Sequence, residues 1–248
     1  MYPSTSATGS STENHDETSS SSSSSSGSTP NESISSSTPA TSPGTSPNTP
    51  PFGDGDSEIT PSPLAHRVLL LLDIQVAMLS PPPIGVPASL QVKEKLAIIL
   101  EHARAANPPP LIIHVRNSGD VGDADEPFAP GWQLIFPPLP GELTIDKRKN
   151  NAFAGTRLGS VIPTDAEIVV AGFQTDYSIR ATCSTALERG NEVLLIRGAH
   201  ATYDRIEVLH GGGITPAWRI ESEIEAELEE AGVHLLDMKD LPGIFMDR

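Results

Sequence analysis

The sequence of 248 residues is poor in cysteine and in aromatic side chains. Cys183 is its one cysteine, and only 4% of the residues are aromatic. A single thiol excludes an intramolecular disulfide and any zinc site built on two or more thiolates of one chain. We therefore expect an intracellular protein whose fold is stabilised by its hydrophobic core alone.

Long hydrophobic runs are also missing. No stretch reaches the roughly 18 apolar residues that a membrane-spanning helix needs. The first residues lack the basic start and the apolar segment of a secretory signal. These features predict a soluble, cytoplasmic protein without a membrane partner.

Basic residues are scarce, at 16 Lys plus Arg against 32 Asp plus Glu, and the formal net charge is −16. Proteins that bind nucleic acids gain affinity from Lys and Arg side chains that neutralise phosphates. The charge balance therefore argues against a nucleic-acid partner.

Residues 1–62 contain no Lys or Arg and little apolar surface. They are mostly Ser, Thr, Pro, Gly and Asn, with an unbroken serine run at 19–26. Such a segment buries too little apolar area to offset the entropy lost on ordering. We predict a disordered tail over 1–62 and a folded domain over 63–248. The Ser-Pro and Thr-Pro steps of the tail fit either a phosphorylated regulatory segment or a tolerated low-complexity extension.

The pattern changes after Arg67 to an unbroken apolar run that ends at Asp73, which is typical of a strand buried on both faces of a parallel sheet. Further strands and amphipathic helices then alternate. The predicted strands are 111–115, 143–145, 167–171, 192–196 and 233–236, and the predicted helices are 88–106, 152–161, 176–189 and 216–231. This alternation predicts an α/β, three-layer, Rossmann-like fold with a six-stranded parallel sheet.

In an open parallel sheet, ligands bind beyond the carboxyl ends of the strands. Asp73, Lys147 and the segment 172–178 follow predicted strands, and so do Arg116 and Asn117. Taken singly, each is a weak signal. Asp73 fits a helix cap, Lys147 fits a surface charge, and Ser178 fits a hydroxyl in the first turn of a helix.

Three segments together resemble the isochorismatase-like hydrolase superfamily, which includes cysteine hydrolases, nicotinamidases and isochorismatases. They are LLLLDIQ at 69–75, IDKRKNNAFAGTRL at 145–158 and VVAGFQTDYSIRATCSTALERG at 169–190. The resemblance implies a catalytic Asp, Lys and Cys, which fall on Asp73, Lys147 and Ser178. Serine therefore stands where the family has its nucleophilic cysteine.

Cys183 is a poor substitute for that missing nucleophile. Five residues along an α-helix separate it from Ser178 by about 140° of net rotation and roughly 7.5 Å of rise. We expect Cys183 to be a small buried apolar side chain. Because a carboxylate is a weak base for a hydroxyl, we also expect cysteine-type amide hydrolysis to be greatly weakened or lost.

The resemblance implies further features of the site. The backbone amides of Gln174 and Ser178 match the family's oxyanion hole, beside a cis peptide that would join Phe173 and Gln174. Isochorismatases keep the Asp and Lys but lack the cysteine. Their chemistry implies that Asp73 acts as a general acid toward an isochorismate-like vinyl ether, with Lys147 binding a substrate carboxylate.

Several alternatives remain at this point. The chain fits a small-molecule hydrolase without a cofactor, a weak amidohydrolase that uses Ser178, or a catalytically silent binding or scaffold protein. Arg116, Trp132 and Tyr177 are candidate pocket walls that bind substrate. The resemblance alone suggests a homo-oligomer.

We predict no metal site. Nicotinamidases in this superfamily carry Asp-x-His and a further His near the loop after the second strand. Here His114 lies inside a strand pattern, as a packed histidine would. Asp120, Asp123 and Asp125 lack the spacing of a calcium loop and fit a solvated acidic loop. After the fifth strand, Gly198 and Ala199 stand where relatives commonly have Asp-Ala, and we expect this segment to be structural.

Overall fold

A computed structural model describes residues 66–208 and 211–246. The predicted tail over 1–62 lies outside the described residues. The strands are β1 (Arg67–Leu72), β2 (Leu111–Asn117), β3 (Leu143–Lys147), β4 (Glu167–Phe173), β5 (Glu192–Ala201), β6 (Arg205–Glu207), β7 (Gly213–Thr215) and β8 (His234–Leu236). The α-helices are α1 (Ser89–Ala105), α2 (Leu158–Val161), α3 (Arg180–Glu188), α4 (Ala217–Ala231) and α5 (Leu241–Ile244).

Six strands form one parallel sheet in the order β3-β2-β1-β4-β5-β8. The predicted α/β fold with a six-stranded parallel sheet is therefore confirmed. Strand order reverses at β1, since β2 and β3 extend to one side and β4 to the other. Residues that follow β1 and β4 therefore flank the point where open sheets of this kind bind ligands.

The apolar run of β1 contributes to two hydrophobic cores. Val68, Leu70 and Leu72 pack on one face of the sheet against α2, α3 and α4. Leu69 and Leu71 point to the other face, where α1 and α5 cover the sheet. Because successive side chains of a strand alternate between faces, a strand covered on both sides must be apolar throughout. This is why the sequence run is continuous.

Gly172 allows β4 to approach β1 closely. It pairs with Leu72, and a Cβ at position 172 would lie 2.0 Å from the Leu72 carbonyl oxygen. Its φ of 137° also lies in a range that favours glycine. The register of β4 against β5 shifts between Val170 and Gly172, which pair with Leu195 and His200, so the extra residues lie in β5.

Two predicted helices differ from the structure. The helix predicted over 152–161 is confined to Leu158–Val161. Gly155 has a φ of 73° and the Thr156 hydroxyl donates to the Ala152 carbonyl at 2.6 Å, so local turns replace the first helical turns. The helix predicted over 176–189 is divided, with a π-helical turn at Thr175–Ile179 before α3.

The structure also contains an element that the sequence analysis missed. Strands β6 and β7 form a two-stranded antiparallel hairpin outside the main sheet. Three-residue strands leave too short an alternation to be recognised from the sequence. In the part of the chain that the structure describes, every helix is too short or too polar to cross a bilayer.

Candidate active site

Asp73 stands at the carboxyl end of β1, on the edge where the strand order reverses. Its N–H donates to the Val115 carbonyl at 2.9 Å, and its side chain is completely buried. Its φ is 54°, a left-handed conformation that costs a non-glycine residue on the order of 1 kcal/mol. This turn ends the strand, so the Asp73 side chain no longer follows the alternation of β1 side chains between the two faces of the sheet.

Lys147 is the last residue of β3, and its ammonium group lies on the Asp73 carboxylate. Nζ is 2.9 Å from Asp73 Oδ2, 3.0 Å from Ser178 Oγ and 3.4 Å from Asn117 Oδ1. Only 1% of the side chain is exposed. A lysine ammonium has three N–H donors, and three protein acceptors surround this one. In this conformation all three donors are engaged, and the expectation that Lys147 binds a substrate carboxylate stays a prediction.

Ser178 lies within the π-helical turn that follows β4. Its hydroxyl donates to Asp73 Oδ2 and accepts from Lys147, and the side chain is buried. The structure thus brings together the three side chains that the sequence singled out. A π-helical turn is rare and is often found at functional sites.

The two oxygens of Asp73 differ in their surroundings. Oδ2 accepts from both Lys147 and Ser178, whereas Oδ1 is buried without a hydrogen-bond partner among the described residues. Burial raises the pKa of Asp73, against the opposing effects of Lys147 and Ser178. A carboxyl group with a raised pKa and one unpartnered oxygen is suited to exchange a proton with a bound molecule.

Gln75 and Asn117 hold the ends of β1 and β2 together. The Asn117 N–H donates to Gln75 Oε1 at 2.7 Å, and Gln75 Nε2 donates to the Asn117 carbonyl at 3.0 Å and to the Trp132 carbonyl at 3.2 Å. Gln75 belongs to the Asp-x-Gln pattern, but its role was not predicted from the sequence. Its contacts explain the pattern, because they anchor the loop after β2 beside the site.

The amide of the predicted oxyanion donor Gln174 has a backbone partner, and the cis peptide expected beside it is wrong. Its N–H donates to the Ala201 carbonyl at 2.8 Å and so continues the pairing of β4 with β5. The peptide bond between Phe173 and Gln174 is trans, since the cis bonds of the described residues are Pro82–Pro83 and Asn107–Pro108. In this conformation the Gln174 amide is committed to the sheet. The Ser178 amide stays a prediction.

The candidate pocket walls have mixed surroundings. Trp132 is mostly buried and carries the Arg116 guanidinium 3.2 Å above its ring centroid. Arg116 also binds Asp146 at 2.7 Å. Because neighbouring side chains of β2 alternate, Arg116 points away from the face that carries Asn117. Tyr177 is 49% exposed. Substrate binding by these residues stays a prediction.

Cys183 is buried in the core between the sheet and its helices. Burial raises the pKa of its thiol to about 12. The thiolate, which is the nucleophilic form, is therefore suppressed at neutral pH. The prediction that Cys183 is a small buried side chain is confirmed.

His114 belongs to a buried ionic cluster that fixes the loop after β2. Its Nε2 lies 2.9 Å from Glu142 Oε2, and Arg104 of α1 binds the same carboxylate at 2.6 Å and 2.9 Å. The prediction that His114 is a packed histidine is confirmed. Within residues 66–208 and 211–246, no three His, Cys, Asp or Glu side chains are grouped to hold a metal ion.

We predict that Glu142→Gln lowers stability by about 2 kcal/mol at neutral pH. Burial alone raises the pKa of Glu142, but hydrogen bonds from Arg104, the Leu139 N–H and His114 outweigh it and lower the pKa to about 2. A lowered pKa stabilises the fold above the ordinary value near 4.5, and that stabilisation is lost as the pH falls toward 2. Urea unfolding of both proteins across this range measures the difference.

The matched control for this prediction is Glu101→Gln, which changes an exposed glutamate of α1. It should leave stability within about 0.5 kcal/mol of the wild type. A Glu142→Gln variant whose acid unfolding parallels that of the wild type contradicts the prediction.

Comparisons with known proteins agree with the geometry. The fold and site define a three-layer α/β protein with a buried aspartate, lysine and hydroxyl at the switch point of the sheet. An isochorismatase domain model matches residues 67–210, which is more than half of the chain. The chain therefore belongs to the isochorismatase family of hydrolases.

Two curated relatives are named streptothricin hydrolase, both from Streptomyces noursei. They are 39% and 37% identical to this chain over 143 and 142 residues, which are 56% of this chain and 55% and 50% of the relatives. The chain thus spans about half the length of these relatives.

Solved structures extend the likeness. An isochorismatase from Pseudomonas putida KT2440 is 29% identical, with a TM-score of 0.65 over 73% of this chain and 92% of that chain. A hydrolase of the isochorismatase family from Chromobacterium violaceum is 27% identical, with a TM-score of 0.65 over 75% of this chain and 96% of that chain.

Proposed function

We propose that this chain hydrolyses a small molecule by proton transfer from Asp73, with water as the nucleophile. The observation that carries the proposal is the asymmetry of the Asp73 carboxyl group. Oδ2 is fixed by Lys147 and Ser178, whereas Oδ1 is buried and has no hydrogen-bond partner in the part of the chain that the structure describes. A proton on Oδ1 leaves both contacts of Oδ2 intact.

Burial makes this proton available. Because desolvation raises the pKa of Asp73, the carboxyl group holds its proton at a higher pH than an exposed aspartate does. For an isochorismate-like vinyl ether, Asp73 donates that proton to the terminal alkene carbon. Water then adds to the oxygen-bearing carbon and returns a proton to Asp73, and the resulting hemiketal releases the alcohol.

Lys147 and Ser178 act as positioning residues in this mechanism. Lys147 holds Asp73 and Ser178 in place and has no N–H left for a substrate anion. Ser178 fixes the orientation of the carboxyl group through Oδ2. Neither group forms a covalent bond with the substrate.

A second candidate mechanism is acyl transfer through Ser178. Its hydroxyl donates to the Asp73 carboxylate and accepts from Lys147, the geometry of a nucleophile beside its base. The names of the streptothricin hydrolases make streptothricin a substrate to test beside isochorismate and small amides.

The variant Ser178→Ala separates the two mechanisms. Under proton transfer to a vinyl ether it retains turnover within about tenfold of the wild type, because Asp73 and water remain. Under acyl transfer it loses nearly all turnover, and an electrophilic amide analogue forms an adduct on Ser178 that mass spectrometry detects. Ser184→Ala, a serine of α3 that donates to its own helix, is the matched control.

A third outcome distinguishes the scaffold alternative. If the wild type turns over none of the vinyl ether, the amides and streptothricin, yet binds any of them in calorimetry, the enzyme proposal fails and a binding protein is favoured.

A further inference from the structure

A second carboxylate, that of Asp125, lies one side chain away from the triad of Asp73, Lys147 and Ser178. Asn117 Nδ2 donates to Asp125 Oδ2 at 2.6 Å, and Asn117 Oδ1 lies 3.4 Å from Lys147 Nζ. Asp125 belongs to the loop after β2, which the Gln75 contacts anchor at the site. The triad therefore continues through Asn117 to a half-buried acid.

Gly119 holds this acid in a defined position. Its N–H donates to the Asp125 carbonyl at 3.0 Å. A Cβ on Gly119 would lie 2.3 Å from Asp125 Oδ1, so the carboxylate occupies space that any other residue at 119 would fill. The loop thus fixes both the backbone and the side chain of Asp125.

Tyr203, which follows β5, brings a third oxygen to the same region. Its hydroxyl lies 3.4 Å from Met78 Sδ and 3.3 Å from the Ile84 carbonyl. Burial raises the pKa of Tyr203, and the charges of Asp125 and Asp73 raise it further. The Tyr203 hydroxyl therefore contacts the segment that follows Asp73, to which Met78 and Ile84 belong.

The charges in this region favour a cationic ligand. Lys147 has its three donors engaged by Asp73, Ser178 and Asn117. Asp73 Oδ1 is a buried acceptor without a partner. Asp125 adds a negative charge, and among the described residues the side chain that hydrogen-bonds its carboxylate is the neutral Asn117 amide. Because the N–H donors of Lys147 are engaged, a substrate carboxylate would meet the charge of Asp125 without a donor from that lysine, whereas an ammonium or guanidinium group would pair with it.

We propose that the substrate carries a positively charged group and that Asp125 binds it. This inference rests on the proposed function, since it names the substrate class of the same site: a vinyl ether or amide that carries a cation, in place of the anionic isochorismate. Asp125 is then the residue that discriminates by charge, while Asp73 performs the proton transfer.

A matched set of small probes tests the proposal without requiring turnover. Benzylamine, benzyl alcohol and benzoate share one ring and carry a positive, neutral and negative substituent at neutral pH. We expect benzylamine to bind the full chain more tightly than the other two in NMR titrations. Asp125→Asn should raise the dissociation constant of benzylamine about tenfold and leave that of benzyl alcohol within about twofold.

The control is Asp120→Asn, which removes the same charge from an exposed position in the same loop. It should leave all three dissociation constants unchanged. The proposal is overturned if benzylamine binds no more tightly than benzyl alcohol, if neither binds, or if the two variants weaken benzylamine equally. Because these titrations measure binding alone, a charge preference without any turnover would refute the proposed function and not this inference.

Discussion

Asp73→Asn should lower kcat by at least about a thousandfold with any substrate that the wild type hydrolyses. Asparagine has nearly the same shape and can still accept a hydrogen bond, but it cannot donate or receive the catalytic proton. Both candidate mechanisms pass that proton through this side chain. The loss should therefore appear in kcat, while the dissociation constants of bound probes change much less.

The matched control is Asp165→Asn, which makes the same substitution at an exposed turn before β4. It should retain full turnover. An Asp73→Asn variant that keeps more than about a tenth of the wild-type kcat contradicts a proton-transfer role for Asp73. Thermal unfolding of both variants must accompany the kinetics, because Asp73→Asn also removes the counter-charge of the buried Lys147.

The predictable part of the fold follows from burial. The strands of the sheet are covered on both faces, so the run from Val68 to Leu72 contains no polar residue and marks β1 from the sequence alone. Parallel strands then carry Asp73 and Lys147 to the same edge. The strand assignments and the family motif were enough to predict that these two side chains meet. In the structure they are buried, and Lys147 Nζ lies 2.9 Å from Asp73 Oδ2.

The rest depends on contacts between distant residues. The π-helical turn at Thr175–Ile179 differs from an α-helix by a shift of hydrogen bonds that no residue type dictates. The Gln174 amide binds Ala201, which is remote in the sequence. The three acceptors around Lys147 come from the residue after β1, from β2 and from the turn after β4. The spacing of residues along the sequence cannot show that these acceptors engage all three N–H donors of the Lys147 ammonium group.

The largest effect on stability is expected from Lys147→Met, which should lower the free energy of unfolding by about 3–5 kcal/mol at neutral pH. The substitution keeps a long side chain but leaves the Asp73 carboxylate buried without its cation. Chemical denaturation of wild type and variant measures the difference. Lys149→Met, the same exchange at an exposed position two residues later, should change stability by less than about 0.5 kcal/mol.

The pH dependence of this loss identifies its cause. Without Lys147, burial raises the folded-state pKa of Asp73 further above its ordinary value of 3.8. A raised pKa means that the folded protein binds the proton more tightly than the unfolded chain, so the carboxyl group destabilises the fold increasingly as the pH rises above 3.8. The deficit of Lys147→Met should therefore be larger at pH 7 than at pH 4.

The double variant Asp73→Asn with Lys147→Met completes the test. It removes both charges, so it should be more stable than Lys147→Met alone by about 2 kcal/mol or more, even though it carries one more substitution. A double variant no more stable than Lys147→Met would show that lost packing, and not the unpaired carboxylate, accounts for the deficit. In that case Lys147 would stabilise the site through its hydrocarbon chain, and the ionic explanation would be wrong.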